Sequence, residues 1–229
     1  MRATWFFLGL LLMPLAQAAE PVRLLAAGSL EGALSEVVDR FTREHDVSVE
    51  AKFGPSGTLR ASIEGGEKAD VFASADMAHP QALAKAGRGG PVTLFARNRL
   101  CALTQPGLGV TPDNLLPKML DPDVRVATST PGADPSGDYA FELFEKADNL
   151  KTGSEKTLKS KALQLTGAPD SAEPPDDRSA YAWHLREDRA DIFLTYCTNA
   201  IAAREEDPDL ETLQISEPLA VGADYGLSC

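Results

Sequence analysis

The chain has 229 residues, 43% hydrophobic and 24% charged, a composition ordinary for a globular protein. Its 34 acidic residues outnumber 22 basic ones and leave a formal charge of −12, which argues against nucleic acid or an anionic membrane surface as a partner. A small anion stays open, because a few aimed N–H and O–H groups act at contact distance where a diffuse field does not.

The chain opens "MRATWFFLGLLLMPLAQAAE". Arg2 gives a positive start, Trp5 to Leu15 an apolar core, and Ala16-Gln17-Ala18 a small-residue cleavage pattern, so residues 1–18 read as a secretory signal peptide. The apolar core is short for a bilayer span, and no cysteine stands at the cleavage point to carry a lipid. An exported, periplasmic chain of about 210 residues is expected, enough for one large or two small cored domains.

Val22 to Ala27 reads as a short buried strand. Leu30, Leu34, Val37, Val38 and Phe41 then fall on one helical face, with Ser29 where an N-cap belongs. Alternation of Val47, Val49, Ala51 and Phe53 predicts the second strand. A second helix starts at Ser56 and stops at Gly65-Gly66, and Ala69 to Asp76 supplies a third strand. The pattern is βαβαβ, an α/β sheet with helices on its faces.

Val92 to Gly107 is strand-like and contains no helix pattern, a crossover to a second domain. Val124 to Ser129 predicts a strand, Asp134-Pro135-Ser136-Gly137 a turn, and Tyr139, Ala140, Leu143, Phe144 and Ala147 a helical stripe. "LKTGSEKTLKSKALQLTG" reads as a solvated helix with its loop, and "GAPDSAEPPDD" as an acidic, proline-rich loop. A helix and a strand ending at Tyr196 follow, and "EPLAVGADYGLSC" returns as a strand to the first domain. No closing helix follows that strand, which leaves part of the sheet uncovered or the sequence incomplete.

Two serines, Ser29 and Ser56, thus stand at strand-to-helix junctions beside Gly28 and Gly57. Helix N-termini carry unpaired N–H groups and partial positive charge, and open α/β sheets bind ligands at the edge where such junctions gather. Ser136-Gly137 offers a third donor set from the second domain, and Tyr196 a phenol. From the residues alone, helix capping and anion binding both stand. A Walker loop and a GxSxG elbow are absent, and His45, His79 and His184 are scattered, so neither a nucleophile with its base nor a metal cluster is legible.

The runs "AAGSLEGALSEVVDRF", "FGPSGTLRASIEGGEKADVFASAD", "PSGDYAFELF" and "ADIFLTYCTNA" resemble the periplasmic molybdate-binding proteins of ABC importers, within the type II solute-binding fold. The resemblance runs through nearly all of the mature chain in the same order. It implies an α/β, two-lobed protein, each lobe a mixed sheet flanked by helices. Lobe 1 is expected over 19–99 plus 217–229 and lobe 2 over 100–216. It further implies a monomer, not an enzyme, that closes on molybdate or tungstate with no other cofactor and delivers it to a membrane permease. The residues matched to the family's anion ligands are Ser29, Ser56, Ser136 and Tyr196.

Three departures bear on the ligand. Pro55 removes an N–H before Ser56, Ser136 stands where the family has alanine, and Arg178 falls near another backbone ligand of the family. Arg178 either pairs with an anion or bridges to Asp176 or Asp177 at the surface. A different anion (sulfate, phosphate or a small organic acid) is therefore the alternative. A secreted hydrolase using Ser29 or Ser56, and a sensor or adhesion module on the same fold, are more distant ones. Of three cysteines, Cys101 in the crossover and Cys197 after Tyr196 form one expected disulfide, with Cys229 spare; two reduced thiols are the other reading, since spacing does not set connectivity.

Overall fold

The computed structural model describes residues 20–175 and 178–229. The signal-peptide expectation for residues 1–18, and Asp176 and Asp177, lie outside the described residues. The strands are β1 (Val22–Ala27), β2 (Val49–Gly54), β3 (Val71–Ser74), β4 (Thr93–Thr104), β5 (Val126–Ser129), β6 (Leu163–Thr166), β7 (Ile192–Tyr196), β8 (Glu211–Gln214) and β9 (Gly222–Ser228). The helices are α1 (Glu31–His45), α2 (Ser56–Glu64), α3 (Ala78–Lys85), α4 (Leu115–Leu120), α5 (Pro135–Leu150), α6 (Ser154–Lys161), α7 (Ala180–Arg186) and α8 (Cys197–Glu206). A 3-10 turn at Gly28–Leu30 joins β1 to α1.

The sheet runs β2-β1-β3-β9-β4-β7-β5-β6, with β8 on β4. β4 is the strand common to both lobes. From Thr93 to Arg99 it pairs antiparallel with β9, and from Leu100 to Thr104 with β7. On one side β1, β2 and β3 are mutually parallel, and on the other β5, β6 and β7 are. Parallel neighbours joined through helices bring all their carboxyl ends to one edge. Each half-sheet therefore presents such an edge to the cleft between the lobes.

The elements form for local reasons. Asp134 accepts the Ser136 N–H and so caps α5, Pro135 takes the first-turn position that needs no amide donor, and Ala140, Leu143, Phe144 and Ala147 are fully buried along the expected stripe. β7 (Ile-Phe-Leu-Thr-Tyr) is buried at every residue, as a strand covered on both faces must be. α1 behaves differently: Leu34 and Val38 pack against the core, while Val37 is 57% and Phe41 38% exposed.

Several elements lie outside the expectations. These are α3, α4, α8, β6 and β8; the "QLT" run, expected as loop, extends the sheet as β6. Short segments of mixed polarity owe their structure to the neighbour they pair with rather than to their own pattern. The Cys101–Cys197 disulfide is present, linking β4 to the first residue of α8, and Cys229 is free and exposed.

Candidate functional site

A cavity of about 360 Å³ opens between the half-sheets. One wall is Ala27, Gly28 and Ser29 after β1, Gly54, Pro55 and Ser56 after β2, and Ala75 after β3. The facing wall carries Asp134 before α5, Thr166 and Gly167 at the end of β6, Arg178 to Tyr181 leading into α7, and Tyr196 at the end of β7. Carboxyl ends of strands from both lobes thus converge on one space.

Neither junction serine caps its helix. α1 and α2 have no side-chain cap bond at their N-termini, where Leu30 and Pro55 occupy the cap positions. The Ser29 hydroxyl lies 2.8 Å from Tyr225 Oη, which in turn accepts from Asn98 Nδ2 at 2.9 Å. Either hydroxyl can donate in the Ser29–Tyr225 bond, so the contact fixes where the Ser29 oxygen sits at the cleft wall. Ser56 Oγ accepts the Ala75 N–H at 3.0 Å, which leaves its own O–H to donate into the cavity.

Tyr196 is 1% exposed, and its phenol donates to the Ala75 carbonyl at 3.0 Å. Burial, and then the neighbouring Tyr225, push its pKa well above the ordinary phenol value, so the proton stays. That proton is engaged across the cleft, and Tyr196 acts here as a bridge between the lobes. A second bridge is Gly57 N–H to the Ala133 carbonyl, at 2.9 Å. A Cβ on Gly57 would stand 2.3 Å from the Gly132 carbonyl, so only glycine allows this approach.

Ser136 is not among the cavity-lining residues. It is fully buried, its amide held by Asp134 Oδ1 at 3.0 Å and its hydroxyl donating to Ser129 Oγ at 2.8 Å. Asp134 lines the cavity in its place. Arg178 also lines it, with its Nε on Glu206 Oε1 at 2.8 Å, so its ionic partner among the described residues is on α8. Its Nη2 is buried without a hydrogen-bond partner among the described residues.

Beyond the expected residues, Ala75 and Asp134 line the cavity, and Tyr225 and Asn98 stand behind Ser29. Ala75 contributes only main-chain atoms, which no side-chain pattern reveals. Tyr225 was findable: Ala223 and Tyr225 are the buried alternate positions of β9.

The sequence pattern of the bacterial extracellular solute-binding proteins matches residues 22–229. This chain belongs to that family. An uncharacterised Pasteurella multocida protein is 36% identical over 208 residues, covering 90% of this chain and 86% of that one. The molybdate-binding protein ModA of Escherichia coli K12 is 27% identical over 193 residues, covering 80% and 68%. The sulfate-binding protein SubI of Mycobacterium tuberculosis H37Rv superposes with a TM-score of 0.72 at 17% identity, covering 92% of this chain and 75% of that one, which is a likeness of fold.

Family members are solute-binding proteins of the ABC-importer type, not enzymes. They bind small ligands outside the cytoplasm and deliver them to a membrane permease. Among the described residues no helix is long and apolar enough to cross a membrane.

Proposed function

We propose that this periplasmic protein captures a tetrahedral oxyanion, molybdate or tungstate first, for an ABC permease. The observation that carries this reading is the pair of uncharged hydroxyls, Ser29 and Ser56, on one wall of the cavity, the Ser56 oxygen taken by the Ala75 N–H so that its own proton is free to donate. A doubly charged oxyanion is best held by such donors, each hydrogen bond to a charged group being worth about 1.5–3 kcal/mol. The likeness to a molybdate-binding and a sulfate-binding protein supports the same ligand class.

In this reading lobes 19–99 plus 217–229 and 100–216 close on the anion as a monomer, and the bound form is the closed one because only there do both walls reach the ligand. Selectivity among tetrahedral dianions then follows cup size rather than charge. Melting curves with molybdate, tungstate, sulfate, phosphate, chromate and small carboxylates test it. Stabilisation of about 4 kcal/mol is expected at a thousandfold excess over Kd; a response to carboxylates alone overturns it.

A second reading, a bulkier anion such as a small organic acid engaging Arg178, is favoured by the cavity's size. Its 360 Å³ is roughly twelve waters' share of liquid volume, more than one four-oxygen ion fills. Arg178→Ala discriminates: a modest loss of affinity supports capture by neutral donors, and abolition supports the second reading.

A further inference from the structure

Resting on the oxyanion reading, a carboxyl in the wall of an anion cup demands an explanation. Asp134 sits at the start of α5 and lines the same cavity as Ser29 and Ser56. Its Oδ1 takes the Ser136 amide, the group that the resemblance assigns to the ligand. Its Oδ2 lies toward Gly167, another lining residue. Gly167 is built for this approach: its φ is +90°, and a Cβ there would stand 2.6 Å from the Asp134 Cβ. An ionised carboxylate in this wall opposes a dianion held in the same cavity, since like charges disfavour each other.

We propose that Asp134 makes anion capture proton-coupled, so that one hydrogen is shared between its carboxyl and the nearest ligand oxygen. A fully deprotonated dianion such as molybdate or sulfate must then be accompanied by one proton drawn from water onto Asp134. An anion that carries its own hydrogen, such as hydrogen phosphate, donates it to the ionised carboxylate and needs no uptake. Asp134 is in this sense a specificity-determining residue for the protonation state of the ligand.

The surroundings are compatible with a carboxyl that takes up a proton. Burial pushes the Asp134 pKa up, against the pull of the Ser136 amide, the Ser129 and Ser136 hydroxyls and His79 of α3. The other titratable groups facing it are Asp138 of α5, Tyr181 of α7, Tyr196 of β7 and Tyr225 of β9. Burial raises all four, so the tyrosines remain neutral and Asp138 adds repulsion rather than relief. Arg178, the cation of the wall, is paired with Glu206.

The sign follows. A dianion beside Asp134 raises the carboxyl's pKa further, so between the free and bound values protons are taken up and affinity falls as pH rises, by up to about tenfold per unit. Calorimetric titration of the mature protein with molybdate, sulfate and phosphate between about pH 5.5 and 8.5, in two buffers of different ionisation heat, reads both quantities. The native protein should take up close to one proton with molybdate or sulfate and none with phosphate at the alkaline end. Asp134→Asn keeps the acceptor for the Ser136 amide and a competent cap, and should flatten the dianion profile and strengthen dianion binding at alkaline pH by tenfold or more. Dianion binding by the native protein without proton uptake overturns the inference, whether or not the variant folds. Silence of all three anions at every pH in the native protein overturns the oxyanion reading and takes this inference with it.

Discussion

Ser56 and Tyr196, which face the cleft from opposite lobes, are held by the two polar main-chain atoms of a single residue. The Ala75 N–H donates to Ser56 Oγ and the Ala75 carbonyl accepts from Tyr196 Oη, each at 3.0 Å. One residue of the first lobe thereby joins Ser56 to Tyr196 of the second.

The two serines should separate experimentally. Ser56→Ala leaves the buried Ala75 N–H unpaired, so it should cost about 1–3 kcal/mol of stability as well as anion affinity. Ser29→Ala leaves Tyr225 its Asn98 partner, so melting should move little while affinity falls by about 10- to 100-fold. Equal destabilisation by both, with binding intact, would remove the serines from the site.

Tyr196→Phe keeps the buried ring against Tyr139 and Tyr225 and deletes only the hydroxyl bridge. We expect about 1–3 kcal/mol of lost stability, because the Ala75 carbonyl is stranded, and weaker binding through a less populated closed form. Small-angle scattering of the free variant should show a larger radius than that of the native protein.

Gly57→Ala is predicted to be more damaging than its size implies. The new methyl would meet the Gly132 and Ala133 carbonyls at 2.3 and 2.7 Å, so the lobes must separate to admit it. Thermal melts with and without ligand should show the ligand-induced stabilisation lost, while far-ultraviolet circular dichroism remains native.

Reduction of the Cys101–Cys197 disulfide, or the double alanine variant, should lower stability by about 2–5 kcal/mol, since the bridge spans 96 residues of chain and restricts the unfolded state. Mass-based thiol counting before reduction should find one reactive group, at Cys229.

What the sequence revealed about this molecule depends on the range of the forces involved. The β1, α2, β5, α5 and β7 segments carry their periodicity within a few residues and were readable. β6, β8 and α3 are short and weakly patterned, and exist because a neighbouring strand or helix gives them somewhere to bond or pack. At the site, Ser29, Ser56 and Tyr196 were legible as polar groups at strand ends. The partners of their hydroxyls were not, since Tyr225 is 196 residues from Ser29 and Tyr196 meets a backbone atom 121 residues away. Ser29 and Ser56 also defeat the strongest local rule, that a serine opening a helix caps it, because a distant donor or phenol competes successfully for the oxygen.

The bridges Tyr196–Ala75 and Gly57–Ala133 both end on main-chain carbonyls. A clasp written in the backbone is insulated from sequence drift on the acceptor side, for any residue at 75 or 133 still offers the same oxygen. Descendants of this chain can therefore vary the side chains around the cup while inheriting unchanged the contacts that join the two lobes across it.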